Sequence, residues 1–383
     1  MRRALLLVLP LIALAAWLWS SAQLPSQVMP VSARAVFSQA QIDRAQDYRG
    51  PGYAIALASL VAQLAVVWAL ALGARDRLAR LPAVAAALVV AALASAAALP
   101  LGFWLHRRAV DAGLDLQSDL AWLGNALLAV AVEAVAVAVV YLLGRLAYRR
   151  FGSLGVALAA WLAVALFALL QPVVIDPLFI STRPLPAGAA AIARGLETRM
   201  HAHPRSISVS DASSRTTGEN AEVDGLGPTV RVVVDDTALH APPGQLRALL
   251  AHELGHVERR HTLKGVLWFG VIGVPAILLV LAAARRLTKL DPLDRRAVPA
   301  LLACALTASV LLLPVENLLS RRIEAEADWA AVRATHDPAS MEALQKRLAL
   351  TNRSSIEPPE WAVWLLFDHP PVMDRIAAAR AAG

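Results

Sequence analysis

The sequence predicts a mostly α-helical membrane protein of about seven spans, with a small α+β unit that the last two spans divide. Three observations carry that expectation. Of 383 residues, 58% are hydrophobic and the mean hydropathy is +0.55, which excludes an ordinary soluble protein. Apolar runs recur at roughly 4–20, 53–74, 81–104, 120–144, 152–175, 265–284 and 297–316, and about 20 apolar residues cross a bilayer. Two polar stretches, 176–264 and 317–383, are long enough to fold outside it. The expected order is a five-span part over 1–175, a first polar part over 176–264, two spans over 265–316, and a second polar part over 317–383.

The first run has two readings. Arg2-Arg3, an apolar stretch and then Ser20-Ser21-Ala22 also resemble a secretory signal peptide. Glu133 falls inside the fourth run, and an acid within the membrane is a functional candidate by default. Cys304, the one cysteine, sits in the last run, so no intramolecular disulfide forms and packing explains it. The net charge of +7 is mostly arginine at the ends of runs, which suits membrane anchoring. There is no basic stripe interleaved with exposed aromatics and no Gly-rich phosphate loop, so no nucleic-acid partner is expected.

In the first polar part a helix is expected over about 187–201, then a strand at Ser206-Ile207-Ser208-Val209-Ser210. A glycine-containing loop leads to a second strand, Thr229-Val230-Arg231-Val232-Val233-Val234-Asp235. Pro242-Pro243 then opens a helix reading Leu249-Leu250-Ala251-His252-Glu253-Leu254-Gly255-His256. This is the HExxH pattern of zinc metallopeptidases. Two histidines four residues apart share a helix face, so both imidazoles reach one ion. The glutamate after the first histidine falls beside that ion, where it can take a proton from water. Gly255 costs about 1 kcal/mol within a helix relative to alanine, so close approach of another segment is expected there. A catalytic zinc takes three protein ligands and keeps one position open. The third is expected from Ser320-Arg321-Arg322-Ile323-Glu324-Ala325-Glu326-Ala327-Asp328. Glu324 and Asp328 share one face of that helix, and Glu326, the rival ligand, lies off it.

These residues together resemble the type I CAAX prenyl endopeptidase family, multi-pass membrane zinc metallopeptidases of the gluzincin kind, in a bacterial-type form. The segment Phe37-Ser38-Gln39-Ala40-Gln41-Ile42-Asp43-Arg44-Ala45-Gln46-Asp47-Tyr48 is similar to the polar stretch after the family's first span, which favours retaining the first run as a helix. Pro172-Val173-Val174-Ile175-Asp176-Pro177-Leu178-Phe179 is similar to the approach to the catalytic part. Asn220-Ala221, Gly225, the valine-rich strand, HExxH, Glu324-x-x-Ala327-Asp328 and His369-Pro370 follow in the family's order.

The resemblance implies helices around a chamber and one Zn2+ held by His252, His256 and Glu324, with Glu253 as catalytic base. It implies that Asp328 orients a ligand histidine and that His369 steadies the substrate carbonyl. Arg375 is expected to support the His369 loop beside the substrate, and Asn220 and Ala221 to hold the substrate backbone. The family often has His-Ser before Asn-Ala, whereas this chain has Gly218-Glu219, which leaves substrate preference open. The strand at Val230–Val234 is expected to pair with an extended substrate at a sheet edge.

The function so implied is peptide-bond hydrolysis in a protein or peptide, lipidated if the family's own reaction is retained, within the lipid bilayer of a bacterial inner membrane. An HtpX-like quality-control protease is the alternative within proteolysis. A transporter or a catalytically inactive scaffold is the alternative outside it. Loop arginines place the zinc part outside the cytoplasm, and the resemblance places it inside.

Overall fold

The computed structural model describes residues 2–381. Its helices are α1 (Arg2–Ser20), α2 (Gln39–Gly73), α3 (Arg75–Leu78), α4 (Ala83–Ala96), α5 (Leu99–Asp111) and α6 (Asp119–Leu170), followed by α7 (Ala187–Met200) and α8 (Pro243–Glu258). Then come α9 (His261–Thr288), α10 (Val298–Thr335), α11 (Pro338–Thr351), α12 (Glu360–Leu366) and α13 (Val372–Arg380). Four short strands, β1 (Thr182–Pro184), β2 (Ser206–Ser210), β3 (Ala221–Asp224) and β4 (Arg231–Asp235), form one sheet in the order β1-β2-β4-β3.

Among the described residues, five helices are long and apolar enough to cross a membrane: α2, α4 continued by α5, α6, α9 and α10. The expected fourth and fifth spans are two arms of α6 that meet at Gly152, whose φ of 65° interrupts the helical backbone. A residue other than glycine is strained in that conformation. The expected first span falls on α1, whose described apolar part is Leu9–Ser20.

The spans also run further than hydropathy marks. α2 begins at Gln39, where a capping box closes its first turn: the Ser38 backbone N–H donates to the Gln41 side-chain oxygen at 2.9 Å. α10 continues without interruption from the bilayer run to Thr335, so one rigid helix carries both the last span and Glu324. Glu133, the acid inside the expected fourth span, is exposed and accepts a hydrogen bond from the Ser95 hydroxyl at 2.7 Å.

The two polar stretches share one core. Val232, Val234, Leu250 and Leu254 from the first pack with Ala331, Met341, Leu344 and Ala379 from the second, all almost wholly buried. Burying a side chain of the Val or Leu class stabilises by roughly 1.5–3 kcal/mol, so this shared core holds the halves of the site together. Two inter-span connections join them. Ala33, Phe37 and Ile42 pack on Ile356 and Ile376, while the Leu116 N–H donates to the Arg215 carbonyl and the Thr217 N–H to the Leu114 carbonyl.

Two strands were not expected, β1 and β3, and they are only three and four residues long. β4 is an interior strand, parallel to β2 and antiparallel to β3. The expectation that Val230–Val234 forms a substrate-binding edge is therefore corrected, since both sides of β4 are already hydrogen-bonded. The edge strands are β1 and β3, and β3 is the one that lines the cleft over His252 and Glu253.

Candidate metal centre

Helices α8 and α10 cross at Gly255. A Cβ there would stand 3.1 Å from the Ala327 carbonyl oxygen and 3.3 Å from the Ala327 Cα. A side chain there would crowd the Ala327 backbone, so glycine eases the approach of the two helices. The approach sets the histidine face of α8 against the carboxylate face of α10. His252 Nε2 and His256 Nε2 lie 3.2 Å apart, and the Glu324 carboxylate lies 3.3 Å from the first and 3.4 Å from the second. One ligand atom from each of the three residues falls within 4.8 Å of the others.

The donor set fits a cation. His252 Nδ1 faces the Asp328 carboxylate at 2.9 Å, which fixes its proton on Nδ1 and leaves a lone pair on Nε2. Two imidazole nitrogens and a carboxylate then converge with too few protons to satisfy them. Glu324 Oε2 is buried and makes no hydrogen bond, even though His252 is within ion-pair distance. An unpaired buried carboxylate oxygen is costly, and a metal ion bound by two His and one Glu resolves it.

Electrostatics agree. Burial holds the His256 imidazole down at about 3, so it is neutral and able to bind metal. Burial would lower His252 too, but Asp328 and Glu324 outweigh it and raise that imidazole to about 10. The same carboxylates that favour a proton there favour a cation in its place. Burial raises Glu253 to about 7, near the value at which a carboxylate is an effective general base at neutral pH.

Each expected residue has a definite place. Asp328 is clamped by Arg375, whose Nε and Nη2 each donate to it at 2.7 Å. Arg375, expected beside the substrate, lines the cleft and spends those two donors on Asp328, the carboxylate that faces His252. His369 is exposed and its Nε2 lies 3.4 Å from Glu324, while its Nδ1 meets Asp368 at 2.9 Å. The Asp368 contact raises the pKa of His369. Glu326 lies off the ligand face and pairs with His261 and Lys264. A cleft of about 300 Å³ opens over these groups, lined by Asn220, Ala221, His252, Glu253, His369 and Arg375 among others.

The register of β3 explains how that cleft presents backbone. Asn220 and Asp235 are direct partners, and the Asp235 N–H donates to the Asn220 carbonyl at 2.9 Å. In an antiparallel ladder alternate residues bond inward, so Ala221 and Val223 turn their N–H and C=O groups to the free edge. Glu219 also faces that side, where the Asn352 amide both accepts from its N–H (2.8 Å) and donates to its C=O (2.9 Å). Asn352 thereby ends the open edge at Ala221. The Glu219 carboxylate, in the cleft wall, is buried and neutralised by Arg347 Nε and Nη2 at 2.6–3.0 Å. Sequence reading passed over Asn352 and Arg347, because nothing local ties them to a strand about 130 residues earlier.

Residues 190–382, just over half of the chain, match the profile of peptidase family M48. The chain belongs to peptidase family M48. A Bacillus subtilis (strain 168) protein described as an uncharacterized metalloprotease, YhfN, is 27% identical over 237 residues. That alignment takes in 58% of this chain and only 55% of the relative's length. The crystal structure of Ste24p from S. mikatae superposes with a TM-score of 0.72 over 96% of both chains, at 18% identity. This M48 protein therefore has the Ste24p fold, and the expected resemblance and fold class stand at that level. The five apolar helices make it a multi-pass membrane protein.

Proposed function

We propose that this M48 chain is a membrane zinc metalloendopeptidase that hydrolyses peptide bonds in a protein or peptide, with CAAX prenyl protease-like processing of a lipidated substrate as its natural reaction. The convergence of His252, His256 and Glu324 beside Glu253, beneath the free edge of β3, carries the reading. His252, His256 and Glu324 would hold the zinc. When bound there, Zn2+ supplies Lewis acidity to a carbonyl oxygen and acidity to a water molecule. Glu253, buried and poised near neutrality, takes the water's proton and passes it to the leaving amine. An extended substrate adds to β3 through the outward groups of Ala221 and Val223, which sets its scissile bond over the ligand face. His369, protonated through Asp368, donates toward the oxygen that gains charge.

Hydrolysis is favoured over transport because His252, Glu253, His256 and Glu324 converge within the region that matches the M48 profile, whereas Glu133, the acid on which a transport reading rests, only accepts a hydrogen bond from Ser95. The test is Glu253→Gln in the purified full chain. It should keep one zinc per chain and lose at least ~100-fold in peptide turnover, since only the proton acceptor is removed. Near-native turnover in that variant would reject the role of Glu253. A native chain that neither binds zinc nor cleaves peptides would reject the whole reading. Comparing matched prenylated and unprenylated peptides decides the substrate class, and a preference for unfolded membrane proteins over both would favour a quality-control protease.

A further inference from the structure

We infer that His261 is a positioning residue for the metal ligand His256, and that Glu326 fixes His261 in turn. This rests on the metal reading above and concerns side chains to which that reading gives no task. α8 ends at Glu258, and Arg260 takes a left-handed backbone conformation (φ 53°) that reverses the chain. α9 then opens with His261, whose ring folds back onto His256: the centroids are 4.8 Å apart and the planes 79° apart. The two Nδ1 atoms lie 2.9 Å from each other. On its far side His261 Nε2 meets Glu326 Oε2 at 3.2 Å. Glu326 also accepts from Lys264 Nζ at 2.9 Å and from the backbone N–H of Gln23 at 3.2 Å. His261 and Glu326 are 4% and 1% exposed, so water does not substitute for these bonds.

Proton counting gives the chain a direction. A His256 that binds metal through Nε2 carries its proton on Nδ1 and must donate it. The acceptor is His261 Nδ1, which forces the His261 proton onto Nε2, and that proton goes to Glu326. The opposite tautomer of His261 would set two N–H groups against each other and leave Glu326 facing a lone pair. Glu326 therefore selects the tautomer that lets His261 hold His256 in its ligand orientation. The two ligand histidines are supported differently: His252 directly by the Asp328 carboxylate, and His256 by a neutral ring with its carboxylate one residue removed.

The test measures Zn2+ affinity of the detergent-solubilised full chain by competition with a chromophoric chelator, alongside the melting temperature of the metal-free protein. His261→Phe keeps the ring's shape and removes the acceptor, and Zn2+ affinity should fall by ~10–100-fold. His261→Asn places an amide oxygen where Nδ1 stood and should return affinity to within about threefold of native. Glu326→Met, which leaves the His261 ring in place, should weaken Zn2+ by up to about tenfold and stands in if the Phe variant does not fold. Native affinity in His261→Phe or, if that chain is not obtained, in Glu326→Met overturns the inference. So does an Asn variant as weak as the Phe variant, or a lowered metal-free melting temperature with unchanged affinity. A native chain that binds no Zn2+ rejects the metal reading itself, which is a separate result.

Discussion

Glu324 and Glu326 stand two residues apart on α10, and the turn between them gives them different tasks. Glu324 points at the two histidines with one oxygen unpaired, whereas Glu326 is saturated by His261, Lys264 and the Gln23 backbone. Glu324→Ala should therefore lose zinc during purification, and Glu326→Ala should retain it with affinity weakened by about tenfold, as expected for a residue behind a ligand. Metal analysis of the two purified variants checks this, and equal zinc content or the reverse order contradicts it. The contrast was legible in the sequence because a four-residue spacing within one helix fixes a face. His261 was not legible. The chain breaks at Arg260 between α8 and α9, so no helical period connects His261 to the HExxH face. Only the fold shows that its ring returns to His256.

At the scale of elements, long apolar or strongly periodic segments were readable and short pairings were not. The α8 helix and the strands β2 and β4 follow from pattern and proline placement, and Gly255 announced the α8–α10 crossing. Strand order depends on partners distant in sequence, so the valine-rich β4 was taken for the edge when it lies inside. The edge beside the metal centre is β3, whose Ala-Glu-Val-Asp alternation is only four residues long, too short to stand out from a loop. Ala221 is the first residue of β3 whose N–H points outward beyond the Asn352 clamp. Ala221→Pro removes that N–H, and proline is tolerated on an edge strand. Zinc content should stay at one per chain while kcat/KM for an extended peptide falls about 2–10-fold, the loss of one hydrogen bond worth roughly 0.5–1.5 kcal/mol. Unchanged kcat/KM would show that substrate does not add to this edge.

For the whole molecule, the fold sorts the inter-span connections into two sets, and charge then suggests which set faces the cytoplasm. The connection before α2 and the one between α5 and α6 pack against the metal-bearing unit. The connections after α2 and α9 and the Gly152 break of α6 lie at the other end, where the buried Tyr141 hydroxyl donates to the Leu293 carbonyl at 2.9 Å. That far end carries Arg75, Arg77 and Arg80, then Arg145, Arg149 and Arg150, then Arg285, Arg286, Lys289, Arg295 and Arg296, with Arg2 and Arg3 at the amino terminus. The near connections carry Arg34, Arg44, Arg49, Arg107 and Arg108. Positive charge on short loops is retained in the cytoplasm. We therefore propose that the metal-bearing unit lies outside the cytoplasm, opposite to what the family resemblance implies, with the far end inside. The near-side arginines do not offset the bias, since they are five against thirteen basic residues at the far end. Reporter fusions after Gly383 in bacterial cells measure the outcome. Alkaline phosphatase activity without fluorescence from a cytoplasmic reporter is expected, and fluorescence without phosphatase activity would place the cleft in the cytoplasm and leave the arginines to bind headgroups of the outer leaflet.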